Sequence, residues 1–445
     1  MVQYGFSMNT KAYLVLANGQ VFEGKSLGAS GCIIGETVFT TGMNGYLETL
    51  TDPSFYGQIV TQTFPLIGNY GVIPPDFESD GVHVRGYIVR SWCQEPSNFR
   101  CGGDLDAFLK KQQVIGLYDI DTRALTKVLR EAGVMNGMLI SGEGAEAKEA
   151  VCALSDATKK QVLLEKIKAY KIEHAVEAVS CSAVKVEKDA QTVFAESAAY
   201  RAVPVRADGT KVNESAVAMK DGKGKKVVLW DFGAKANIRR ELLKRGLDVV
   251  TLPATATVQH ILAQNPDGIM LSNGPGDPQE NTQIIAGIRE LLTKRIPIFG
   301  ICLGHQLLAL AKGANTTKLK YGHRGANQPV KELATGRVYI SSQNHGYAVE
   351  NDTIPTGAQL SFVNTNDGTC EGIVYTDTPA FSVQFHPEAA CGPLDTSFLF
   401  DEFVRLINNP AYYKNYKPTT QAIDAISYFA STITSTKQTQ KAAGK

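Results

Sequence analysis

Neither sign of charge predominates in this chain of 445 residues: 45 Lys and Arg stand against 44 Asp and Glu, a formal net charge of +1. So balanced a chain has no basic field with which to hold nucleic acid or an anionic membrane face. Long apolar runs are missing too. No stretch reaches the roughly 20 residues of a membrane span, and the opening MVQYGFSMNTKAYLVLANGQ lacks the basic-then-apolar pattern of a leader. The eight cysteines, Cys32, Cys93, Cys101, Cys152, Cys181, Cys302, Cys370 and Cys391, form no CxxC pair and no close cluster. That spacing excludes a zinc site and fits thiols kept reduced. The expectation is a cytoplasmic chain without a metal ion, partnered with neither nucleic acid nor membrane.

What is present, 43% hydrophobic residues over this length, suffices for two cores. An α+β domain is expected over 10–183. There YLVLANGQVF alternates around an Asn18-Gly19 turn, the mark of a hairpin, and DIDTRALTKVLREAG reads as a capped helix. Asp119, Asp121 and Thr122 stand at its start, Leu125, Val128 and Leu129 on one face, and Gly133 at its end. Periodicity fades over 184–225, and KDGKGKK has the composition of a linker. Residues 431–445 have little to bury and read as a frayed tail.

From 226 to 410 short apolar runs alternate with amphipathic helices. KVVLWDFG, DVVTLPA, DGIMLSNG and IPIFGIC read as strands, and NIRRELLKRG, VQHILAQN and the stripe Ile284, Ile285, Ile288, Leu291, Leu292 as helices. This α/β alternation implies a doubly wound, mostly parallel sheet whose functional loops lie at the carboxyl ends of its strands. Cys302 falls at such an end. The flanking glycines of Gly300-Ile301-Cys302-Leu303-Gly304 let strand and helix approach across a sharp strained turn that lifts the central side chain clear. At the amino end of the helix LGHQLLALAKG, the macrodipole and free N–H groups favour the thiolate. A buried, inert cysteine in a strand–helix turn is the competing reading of the elbow alone.

A cysteine nucleophile needs a base, and the base benefits from a group that orients it. AFSVQFHPE supplies both, because His386 and Glu388, two apart in extended backbone, point the same way. His305 follows the cysteine on its own helix and reads as a packing residue. His323 and His345 have no carboxylate two residues away. The loop LSNGPGDP, Leu271 to Pro278, is fixed by two glycines and two prolines. With the backbone N–H of Leu303 it forms the candidate oxyanion hole, each donor of which is worth about 10²–10³ in rate. One further match is refused. Gly19 to Ser26, GQVFEGKS, has the written form of a phosphate-binding loop, but it sits in a hairpin and no helix follows to cradle phosphate.

With loop, elbow and FHPE in this order, the region from Lys226 to Asn409 resembles the class I, or triad, glutamine amidotransferases. GETVFTTGMNGYLETLTDPSFYGQIV, WDFGAKANI, SNGPGDP, YGHRGANQPV and SQNHGYAV extend the resemblance, to the small, glutamine-hydrolysing subunits of carbamoyl-phosphate synthase. The resemblance implies Cys302 as nucleophile, His386 as acid and base, and Glu388 as its orienter. It implies Gly274, Gly276, Leu303, Gln306, Asn344, Gly346 and Tyr347 as positions that hold glutamine. A serine that touches glutamine in this family is Gly42 here, so at that position only backbone contact remains. The implied partner is the large subunit of carbamoyl-phosphate synthase, which binds ATP and magnesium. No cofactor is then expected in this chain, and the product serves arginine or pyrimidine synthesis. The alternatives are a glutaminase for another synthetase, such as those making anthranilate or guanylate, and a catalytically silent regulatory partner.

Overall fold

The computed structural model describes residues 10–187 and 222–411, so the expected tail and most of the expected linker lie outside it. Contacts divide the chain into two compact units. The first runs to Val179 and takes in Lys320–Gly325; the second holds the remainder from Ser180.

The first unit is built on a closed barrel. Its strands follow the order Lys11–Leu16, Val21–Gly28, Ile115–Tyr118, Gly86–Ile88, Gln58–Gln62, Gly31–Thr40 and Met135–Ser141, and the last pairs back with the first. The Asn18-Gly19 hairpin joins the first two in antiparallel register, with Gly19 at φ +87°, where a side chain would be strained. The expected helix spans Thr122–Ala132. Asp121 caps it by accepting from the Ala124 N–H at 2.9 Å, Leu125 and Leu129 are buried, and Gly133 ends it at φ 94°. The refused phosphate motif lies in turn and strand. Lys25 pairs with Asp119 at 2.8 Å and Ser26 shares a hydrogen bond with Ser141 at 2.6 Å, so neither end of the motif is organised around an anion.

The second unit is a ten-stranded sheet. Its centre is parallel, in the order Asp248–Pro253, Lys226–Asp231, Gly268–Leu271, Ile298–Ile301 and Ala380–Val383. These strands are apolar nearly throughout because helices cover both faces of the sheet. Antiparallel strands Cys370–Tyr375, Ala358–Asn364, Thr316–Glu332 and Val338–Val349 extend one side. The other edge corrects the expected linker, since Lys185–Glu187 is a strand paired antiparallel to Asp248–Pro253. Ser180 is already tied in, donating to Asp231 O and accepting from the Ala254 N–H, each at 2.8 Å. Among the described residues, no helix is long and apolar enough to cross a membrane.

One pairing positions the chemistry. Ile298–Ile301 and Ala380–Val383 are adjacent and parallel, with Phe299 opposite Phe381. Their rings stack at 4.3 Å, and Phe400 and Phe403 of the helix Phe398–Asn408 pack on Phe299 at 5.7 Å. A wall of buried aromatics fixes the register of these strands, and both therefore end at the same rim. One delivers Cys302, the other His386.

Candidate active site

Cys302 joins the strand Ile298–Ile301 to the helix Leu303–Lys312 at φ 53°, ψ −104°, outside the usual region for a residue with a side chain. Two observations explain how such a turn persists. The Cys302 N–H continues the sheet by donating to Val383 O at 2.9 Å, and the Gly304 N–H donates to Ser272 O at 3.0 Å. A Cβ on Gly304 would stand 2.3 Å from Leu271 O, and one on Gly300 would stand 2.8 Å from Gly304 O. Only glycines permit this approach of helix to strand. Gly304→Ala is accordingly expected to cost about 1–3 kcal/mol, the usual price of overpacking, read as a fall in melting temperature together with lost glutamine turnover. An unchanged melting temperature would mean that the elbow is not held by this contact.

The elbow does not expose its thiol. Cys302 is 2% exposed, with Sγ 3.7 Å from the carbonyl oxygen of Asn344. The expectation of a side chain lifted clear is corrected here: the turn aims Cys302 beyond the rim, but the strand Val338–Val349 runs over it. Enclosure of this kind keeps bulk water from a reactive intermediate.

His386 and Glu388 are brought to the same place. His386 Nδ1 lies 2.7 Å from Glu388 Oε1, both side chains are fully buried, and the His386 N–H donates to Ser342 O at 2.9 Å. With Nδ1 committed to the carboxylate, Nε2 is the ring atom left to face Cys302, whose sulfur acts on the imidazole. Burial, the largest influence, and the Lys235 ammonium push this imidazole down. Glu388 and Cys302 push it up and prevail, holding it at about 10. Burial pushes Glu388 up, but the charges of His386 and Lys235 hold it below the usual carboxylate range.

Two of the competing histidines, His305 and His345, have partners of their own. His305 is fully buried against Ser382 Oγ at 2.8 Å, and burial pushes it down to about 3, so it stays neutral. His345 lies 2.8 Å from Tyr347 O and 3.3 Å from Gln343 Oε1. His323 belongs to the segment grouped with the first unit.

Of the candidate glutamine positions, Leu303 and Gln306 lie on the helix that Cys302 opens, and Asn344, Gly346 and Tyr347 lie on the strand Val338–Val349. Gly274 is pressed between the Phe232 carbonyl and Leu303, where an added Cβ would come within 2.3 Å and 2.7 Å. Gly276, at φ 89°, turns the loop beyond it. Gln306 Nε2 donates to Tyr347 O at 2.8 Å, which joins the nucleophile's helix to the strand that also carries Asn344 and Gly346. Gly276, Gly346 and Tyr347 are partly exposed, whereas Gly274, Leu303, Gln306 and Asn344 are buried. Gly42 lies in the first unit, after the strand Gly31–Thr40.

Comparison with known proteins identifies the two domains. The glutamine amidotransferase class-I family matches residues 228–406, and the carbamoyl-phosphate synthase small chain CPSase domain matches 14–139. The carbamoyl phosphate synthase small chain of Clostridium perfringens is 44% identical over 395 residues, 89% of this chain and 99% of that one. Those of Syntrophotalea carbinolica and Bacillus caldolyticus are 45% and 44% identical, each over 89% of this chain and 98% and 96% of their own. The chain belongs to the carbamoyl-phosphate synthase small chain family. This small chain is a glutamine-hydrolysing amidotransferase, with the CPSase domain preceding the class-I domain.

Sequence reasoning missed one charged member of the small chain's site. Lys235, 7% exposed, puts Nζ 3.5 Å from Glu388 Oε1, and its N–H donates to Asn273 Oδ1 at 3.0 Å. The available signal was a lysine in the turn of WDFGAKANI, directly after a buried strand. Lysines in such turns are usually solvated, so the residue type alone carries no sign of a buried role.

Proposed function

We propose that this small chain hydrolyses glutamine with Cys302, His386 and Glu388. It then passes the ammonia to a larger synthetase, the carbamoyl-phosphate synthase large subunit, in the cytoplasm. The observation that carries the reading is the 2.7 Å His386–Glu388 bond beside a strained cysteine elbow. The Cys302 thiolate attacks the side-chain amide carbon of glutamine, and the negative oxygen is held by backbone N–H groups at Leu303 and in the 274–276 loop. The intermediate collapses as His386 gives its proton to the departing nitrogen, releasing ammonia and leaving a glutamyl thioester. Water then attacks the thioester carbon while His386 takes a proton from it; glutamate leaves and the thiolate is restored. Acid–base help of this kind is worth about 10²–10⁴ in rate.

Ammonia released into water would be protonated and lost as a nucleophile, so the enclosure of Cys302 supports direct transfer to a partner. On this reading ATP, magnesium and bicarbonate are used by that partner, no cofactor is held here, and carbamoyl phosphate goes to arginine or pyrimidine synthesis. The thioester gives the test. Acid quenching during turnover of carbon-labelled glutamine is expected to leave label on the protein, releasable by base and mapping to the peptide of Cys302. Absence of bound label under saturating glutamine, or label on another peptide, counts against the mechanism. Affinity capture of the chain from its source cell is expected to bring down one large ATP-binding chain. A synthetase of a different pathway in that position would overturn the partner assignment.

A further inference from the structure

We propose that Gln384 is a positioning residue: by one buried hydrogen bond it fixes Gln306 so that this side chain offers the substrate an acceptor and never a donor. The inference rests on the reading above, in which Gln306 borders the glutamine pocket. Gln306 lies one turn beyond Cys302 on the same helix and is 3% exposed. Its Nε2 is 2.8 Å from Tyr347 O and 2.9 Å from Gln384 Oε1. A backbone carbonyl can only accept, so the atom facing Tyr347 O has to be the amide nitrogen, and the orientation follows from chemistry. That nitrogen carries two hydrogens. Tyr347 takes one, Gln384 takes the other, and Oε1 is what remains for a ligand.

The backbone at Gln384 is itself anchored, while its side-chain Nε2 is buried without a partner among the described residues, so Gln306 is the group its amide is paired with. Gln384 is fully buried just past the strand Ala380–Val383, two residues before His386, and its N–H donates to Glu371 O at 2.9 Å. The rim that delivers the base therefore also sets the polarity of a group on the nucleophile's helix. Without Gln384, the second N–H of Gln306 would be buried without a partner, and its amide would be released to swing toward the substrate.

The test is the steady-state kinetics of glutamine-dependent synthesis by the assembled enzyme, with melting temperatures measured alongside. Gln384→Met keeps the volume and removes the acceptor. It is expected to raise KM for glutamine about tenfold, the effect of one lost buried hydrogen bond, and to leave kcat within about threefold. Gln384→Glu keeps an oxygen toward Gln306, so KM should stay within about threefold of the wild-type value. Gln306→Met should raise KM, and the double variant Gln306→Met, Gln384→Met should be no worse than Gln306→Met alone, because Gln384 acts through Gln306. A normal KM in Gln384→Met while Gln306→Met is impaired overturns the inference alone. So does a multiplicative double variant, or a Gln384→Glu variant as impaired as Gln384→Met. A normal KM in Gln306→Met overturns the assignment of the pocket itself, and the inference with it.

Discussion

Cys302→Ala is expected to abolish glutamine-dependent synthesis of carbamoyl phosphate in the assembled enzyme and to leave synthesis from added ammonia intact. The expected loss with glutamine is about 10⁴-fold or more, because removing the nucleophile of a site whose groups act as a unit leaves only what binding and the oxyanion donors supply. The fold tolerates the change. The elbow is set by the glycine contacts at 300 and 304 and by backbone bonds to Val383 and Ser272, none of which uses the sulfur. Alanine occupies φ 53° with no more strain than cysteine. Ammonia-dependent synthesis survives because that chemistry is assigned to the partner chain. If both activities disappeared, Cys302 would be a structural residue. If both persisted, glutamine would be hydrolysed elsewhere.

The parts of this site visible in the amino-acid string were those set by local geometry. The elbow was legible because Gly300 and Gly304 are the backbone's requirement for seating the helix so close to the strands that a Cβ on Gly304 would stand 2.3 Å from Leu271 O, and that requirement is written into five consecutive residues. The His386–Glu388 pair was legible as a close spacing, but not for the expected reason: the strand ends at Val383, and the two side chains meet in the turn that the Ala389 N–H closes on His386 O rather than along extended chain. The hairpin at Asn18-Gly19 and the helix Thr122–Ala132 were legible for the same local reasons.

What was not legible depends on distant pairing. Closure of the barrel in the first unit needs Met135–Ser141 to pair with both Lys11–Leu16 and Gly31–Thr40, and no local pattern announces this. The edge strand Lys185–Glu187 is three residues long with charge at both ends, and only its pairing to Val249–Thr251 makes it a strand. The cover over Cys302 comes from Asn344, some forty positions onward, so the buried state of the thiol had no signature near the motif. Lys235 is a similar case, since its meaning comes from Glu388, far away in sequence.

Glu388→Gln is expected to move the alkaline limb of the pH profile of kcat/KM for glutamine downward, and to lower activity near neutral pH by about 10²–10⁴. In the intact site the imidazole of His386 is held at about 10 against an ordinary 6.5, although burial and Lys235 both push the other way. Glu388 and Cys302 are the groups that raise it, and a neutral glutamine keeps the shape of the pair while removing the first of these charges. Only Cys302 then opposes burial and Lys235, so the ring loses its proton earlier and serves less well as the acid that carries ammonia from the tetrahedral intermediate.

Stability moves with the same sign. A raised histidine contributes stability that is fully present below 6.5 and lost as pH climbs through about 10, so the deficit of Glu388→Gln relative to wild type should shrink across that window. Urea unfolding at several pH values measures it. A variant that loses rate with its alkaline limb unmoved would show that Glu388 orients the ring without setting its charge. A variant that keeps its rate would remove Glu388 from the mechanism.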